Sequence, residues 1–236
     1  MCNFAAVIRV CLNICVMRYE GLIFLSVVSS RSMGLVRCMS IQNIVSERRS
    51  LTREQVQLVV FGDTPYARWK CRSVLKKLCE AGKLRRGRCM VSNDYVYYIG
   101  RPPIRIDHFV QVNWVWVALQ LTGKLDFFTN EPDYGELIPD AYFVLDGKPY
   151  FLELHRSVNQ RKFDKIPKYA AYLESEQWDT KEWPLPGKFA RILVVAETEK
   201  DADRLRKVVE VDNKAGLWIK VVTLDEVRKD VLKCLK

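Results

Sequence analysis

Apolar and polar positions change period several times along the chain, and each change marks an element. Over residues 34–48 the apolar positions Leu35, Val36, Met39, Ile41, Ile44 and Val45 recur at helical spacing. Thr52 and Gln55 have the spacing of a capping box and open a second helix reaching about Phe61. In Gly62-Asp63-Thr64-Pro65, Thr64 can cap and Pro65 fits the first position of a third helix, which Gly82 stops. That helix turns Ala67, Cys71, Val74 or Leu75, and Leu78 inward. Its outer face carries Arg68, Lys70, Arg72, Ser73, Lys76 and Lys77. Lys83-Leu84-Arg85-Arg86-Gly87-Arg88 follows, then short strands at 89–91 and 95–99 around a Ser-Asn-Asp turn. Three helices and a strand pair predict a winged helix-turn-helix over residues 33–103.

Pro102 and Pro103 interrupt regular structure and mark a boundary. Beyond it the pattern predicts a helix over 107–121 closed by Gly123, and strands at 124–129, 138–145 and 148–155. Further on come a helix over 159–174, a strand at 190–196, a helix over 201–211, a strand at 218–223 and a last helix over 224–235. The order αβββαβαβα over 104–236 makes the fold class α/β, a mixed sheet covered by helices.

Composition changes this picture in one respect. The chain has 236 residues, of which 49% are apolar, enough to bury a core and to exclude a disordered or collagenous protein. The net charge is +10. Residues 33–105 hold 15 Lys/Arg against 5 Asp/Glu, whereas 106–236 hold 20 against 22. The basic excess therefore coincides with the third helix and the strand pair. Arg68, Lys70, Arg72, Lys76, Lys77, Arg85, Arg86 and Arg88 are the candidates for contacting double-stranded DNA, the helix in the major groove and the hairpin on the backbone. A solvated basic face used for protein contacts is the alternative.

Eight cysteines form no Cys-x-x-Cys pair, and His108 and His155 are isolated. A zinc site or disulfide framework is not expected, which fits a reduced, cytosolic compartment. Residues 1–32 are apolar but broken by Arg9, Arg18, Glu20 and Arg31, so no stretch approaches the ~20 residues that span a bilayer. They lack a signal peptide's layout and read as an extra N-terminal helix or an over-extended gene start.

The hairpin carries the chemistry. With Asp146-Gly147 as its two-residue turn, Asp140 lies directly opposite Glu153. Like charges so placed repel unless both bind a divalent cation or one takes a proton. A carboxylate pair holding Mg²⁺ or Mn²⁺ is what phosphodiester hydrolysis needs. His155 leaves the strand on the same face as Glu153. The alternative is that Arg156 or a lysine of the next helix neutralises Glu153, while Asp140 caps its strand.

Ile-Pro-Asp-Ala-Tyr followed by Tyr-Phe-Leu-Glu-Leu-His resembles the split Pro-Asp…(Asp/Glu)-x-Lys motif of restriction-endonuclease-like nucleases, whose core begins αβββαβ. More closely, the chain resembles the replication-relaxation family of plasmids and other mobile elements. The matching stretches are Leu51-Thr52-Arg53-Glu54-Gln55, the helix end at 75–84, Val112-Asn113, residues 139–143, Phe151-Leu152-Glu153, Lys165 with Tyr169, and the strand at 192–195. The resemblance covers about residues 35–230. It implies a winged helix joined to a nuclease-like domain, with Asp140 and Glu153 at the acidic metal positions and Glu136 as a further carboxylate. His155 stands where the motif has lysine, and Lys165 is the candidate for reaching in from the following helix.

The expected function is DNA binding in the replication or processing of a plasmid, phage or integrative element, with metal-dependent cleavage by Asp140, Glu153, His155 and Lys165. The rival is a regulator without catalysis that uses the nuclease fold for homodimerisation or partner binding. No membrane partner is expected.

Overall fold

The computed structural model describes residues 14–19, 22–27, 30–90, 92–135, 137–156, 163–176, 178 and 188–236, with side chains from Gly34 onward. Strands β1 (Ile14–Tyr19) and β2 (Leu22–Val27) pair antiparallel with each other in a two-stranded sheet. Of the two readings of residues 1–32, the extra helix is replaced over 14–27 by this strand pair. Ile14, Val16, Ile23, Phe24 and Val27 are β-branched or aromatic, and they favour a pleated pair over a helix. Helix α1 (Ser30–Arg48) follows, then the short β3 (Leu51–Thr52) and α2 (Arg53–Val56), which widens into a π-helical turn at Gln57–Phe61.

The capping signals act as their chemistry requires. The Gln55 amide donates to Thr52 Oγ1 at 3.2 Å, and the Thr52 amide donates to Gln55 Oε1 at 2.9 Å. Thr64 caps α3 (Pro65–Glu80) by accepting from the Ala67 amide at 3.1 Å, and Gly82 follows at φ +66°. Ala67, Cys71, Leu75 and Leu78 form the buried face of α3. Strands β4 (Arg85–Arg88) and β5 (Tyr95–Tyr98) complete a small sheet in the order β3-β5-β4. The first strand of this hairpin was expected at 89–91. Pairing moves it upstream, because Arg85 to Arg88 face Tyr98 to Tyr95 and the chain turns after Cys89. Val91 lies outside the described residues.

A five-stranded sheet in the order β10-β9-β8-β7-β6 forms the rest. It is fed by α4 (Ile106–Leu121), β6 (Leu125–Asn130), β7 (Ala141–Leu145), β8 (Lys148–His155), α5 (Ile166–Glu174), β9 (Arg191–Ala196), α6 (Glu199–Asp212), β10 (Ile219–Thr223) and α7 (Leu224–Cys234). The strands β6, β7 and β8 are mutually antiparallel, whereas β8, β9 and β10 run parallel. Residues 159–162 of the expected helix before β9 lie outside the described residues. Asp146 and Gly147 turn the β7–β8 hairpin at φ +51° and +68°, the left-handed pair that a two-residue turn needs.

Period-2 alternation splits the sheet's contacts between two layers. Phe143, Leu145, Tyr150, Leu152, Leu154, Leu193 and Val195 pack with α4 and α7. Tyr142, Val144, Phe151, Ile192 and Val194 pack with Ile166, Tyr169, Ala202 and Leu205 of α5 and α6. The result is an α/β protein with helices on both faces of a mixed sheet.

Helix α4 has a second role. Its cluster also contains Ile41, Val45, Val56, Cys71 and Leu75, so the basic segment and the sheet share one apolar core. Polar ties cross the same seam. Asn113 is fully buried and donates to the Arg48 and Ser50 carbonyls at 3.0 and 2.7 Å, while Gln55 donates to Val110 O at 2.8 Å. Arg48 donates to Phe128 O at 3.0 Å and lies over the Trp116 and Phe128 rings. Burial pulls its guanidinium down to about 10.

Candidate functional site

The β7–β8 register runs from Leu145↔Lys148 to Ala141↔Leu152, so Asp140 comes one step further, level with Glu153. Two ionised carboxylates placed this close repel, so each needs a counter-group or one must keep its proton. The fold supplies counter-groups from different elements. His108, in the first turn of α4, places Nε2 3.1 Å from Asp140 Oδ1, and the Leu154 amide donates to Asp140 Oδ2 at 2.8 Å. Lys165, at the start of α5, donates from Nζ to Glu153 Oε2 at 2.5 Å. Tyr169, one turn later, donates to Glu153 Oε1 at 2.6 Å.

These environments push the two carboxyls apart. Burial raises Asp140, but the adjacent His108 ring, with Lys165 and the Leu154 amide, outweighs it and holds the group below the usual range. Burial and the Asp140 charge push Glu153 up to about 8 against the pull of Lys165 and Tyr169. One carboxyl kept ionised beside one that holds its proton is an arrangement suited to acid–base work.

Of the four expected catalytic residues, the structure brings together Asp140, Glu153 and Lys165. His155 is 1% exposed and engaged elsewhere. Its Nε2 accepts from Arg204 of α6 at 3.0 Å, and its ring sits edge-on to Phe163. Arg204 also donates to Asp201 Oδ1 at 3.2 Å. Glu136 lies outside the described residues. His108 was not legible as a site residue, because nothing local marks a histidine far upstream of Asp140. Tyr169 carried a signal, since it follows Lys165 by four residues and so shares its helix face.

Two carboxylates fit Mg²⁺ or Mn²⁺, which take one or two protein carboxylates and complete their shells with water and substrate phosphate. Among the described residues no group of three or more His, Cys, Asp and Glu side chains is assembled for a metal. Among the described residues, Asp140 and Glu153 are the two carboxyls that the hairpin places together.

A second feature lies on the basic segment. Between α3 and the β4–β5 hairpin opens a cleft of about 680 Å³, lined by Arg53, Arg68, Arg72, Lys76 and Arg86 with the single carboxylate of Asp94. Arg68, Arg72, Lys76, Lys77, Arg85, Arg86 and Arg88 are exposed, and Lys70 is half-buried over the Tyr66 ring. Arg86 and Arg88 leave β4 on one face and Arg85 on the other. Arg86 stacks on Tyr95 at 4.9 Å. Cys79 also lines this cleft, and burial raises its thiol despite Arg86.

A search of family models and of curated proteins finds no match to this chain. Among solved structures, the crystal structure of protein VC1899 from Vibrio cholerae is similar at 14% identity with a TM-score of 0.33, over 84% of this chain and 48% of that one. The chain spans about half the length of that protein. Among the described residues, no helix is long and apolar enough to cross a membrane.

Proposed function

We propose that the chain is a DNA-binding protein with a metal-dependent phosphodiesterase site, acting in the replication or processing of a mobile element's DNA. In this reading residues 33–103 are a winged helix, with α3 as the recognition helix and β4–β5 as the wing, and 104–236 are the nuclease-like part. The observation that carries it is the convergence of Asp140, Glu153 and Lys165 from two strands and a following helix. Asp140 and Glu153 would hold Mg²⁺ or Mn²⁺, which when bound polarises the phosphate and lowers the pKa of a bound water. Lys165, 26% exposed, would take the part of the motif's lysine, whose strand position His155 holds, and donate from Nζ to the developing charge. His108, beside Asp140 Oδ1, orients that carboxylate. The exposed arginines of α3 and β4 hold the duplex.

The rival regulator reading has its own support. Glu153 is 2% exposed and already engaged by Lys165 and Tyr169, which a purely structural buried network would also show. Incubating supercoiled plasmid with the parent and with Glu153→Gln, in Mg²⁺, Mn²⁺ or chelator, separates the two. Cation-dependent nicking by the parent, absent in the variant while duplex binding persists, is expected. Intact plasmid in every lane with duplex binding retained leaves the regulator.

A further inference from the structure

The cleft on the basic segment is shaped for more than a phosphate backbone. Trp69 and Tyr66 stand one turn apart on α3, 65% and 66% exposed, with ring centroids 6.1 Å apart and planes 29° from parallel. Single exposed aromatics are ordinary, but two rings stacked on each other beside five cationic side chains are not explained by burial. Tyr95, 44% exposed, closes the other wall with Arg86 over its ring. At about 680 Å³ the open cleft is large enough to admit a nucleotide taken out of its stack. Aromatic rings alternating with basic groups along a groove are the chemistry of unpaired strands. Rings stack on any base while Arg and Lys follow the phosphates.

We propose that the α3–β4–β5 cleft binds unpaired nucleotides, with Trp69 as the stacking platform, so that the DNA recognised contains a single-stranded segment. This rests on the DNA-binding reading above and names its substrate class. Trp69 is the base-contacting residue, Tyr66 holds its ring from behind, and Arg68, Arg72 and Arg86 take the phosphates.

The test is fluorescence anisotropy of the full chain with labelled oligothymidine and with a blunt duplex, using the parent, Trp69→Ala and Trp69→Phe. Trp69→Ala should weaken oligothymidine binding about five- to hundredfold and duplex binding less than about twofold, the stacking contribution of one base. Trp69→Phe, which keeps a ring, should recover most of the loss. Equal losses on both ligands, or no loss on oligothymidine, would overturn the proposal. If the parent binds duplex but not oligothymidine, the cleft proposal fails alone. If it binds neither, the DNA-binding reading fails with it.

Discussion

Glu153 faces Asp140 with Lys165 on one oxygen and Tyr169 on the other, and its charge state should be visible in stability. Its folded-state pKa, about 8, lies above the ordinary 4.5, so between these values the folded chain keeps a proton that the unfolded chain has lost. Stability therefore falls as pH rises through that window, by at most about 1.4 kcal/mol per pH unit for one proton. Asp140 has the opposite sign. Its folded value is lowered, so its contribution is lost only as pH falls below the carboxylate range. Glu153→Gln removes the first effect and keeps the second. Melts from pH 5 to pH 8 should show the variant gaining on the parent as pH rises. Parallel curves would mean that Glu153 is ionised throughout. The pairing of Asp140 with Glu153 was legible because a two-residue turn fixes a register. The choice of Lys165 over Arg156 as the partner was not, because it depends on where α5 begins.

Helices with a cap were legible nearly to the residue, as α3 and α7 show. Elements without such punctuation were not. The two-residue β3 has no pattern of its own and exists because Leu51 and Thr52 pair with Tyr97 and Val96. Likewise the basic run 85–88 looks like a loop until Tyr95–Tyr98 pairs with it, since arginine has little strand preference. That pairing alters what the basic hairpin can contact. Arg86 and Arg88 share the face that carries Tyr95, and Arg85 points the other way. Replacing Arg86 and Arg88 by Ala should lower the log–log salt slope of duplex binding by about 0.9 per lost phosphate contact, while Arg85→Ala should change it less. Titrations at several salt concentrations check this, and equal effects at all three positions would place the strand rather than one face against the backbone.

Across the molecule, charge and packing divide the chain differently. The basic excess of 33–105 against the acidic remainder suggests two modules. The apolar cluster nevertheless runs without a break from Ile41 through α4 to Leu154 and Val222. Charge is legible in composition because it stays on the surface, whereas a shared core is not, because Val110, Val112 and Val115 look the same whichever neighbour they face. Helix α4 therefore carries His108 to Asp140 at one end of its contacts and Asn113 to the α1–β3 turn at another. Plasmid nicking in Mn²⁺ decides whether Lys165, and not a group at His155, supplies the cation of the proposed cleavage site. Parent, Lys165→Met and His155→Gln are compared, with melts to confirm folding. The expected result is a loss of at least about a hundredfold for Lys165→Met, as for removing one preorganised charge donor, and nicking within about tenfold of the parent for His155→Gln. Undiminished nicking by a folded Lys165→Met, or a larger loss for a folded His155→Gln, would contradict it.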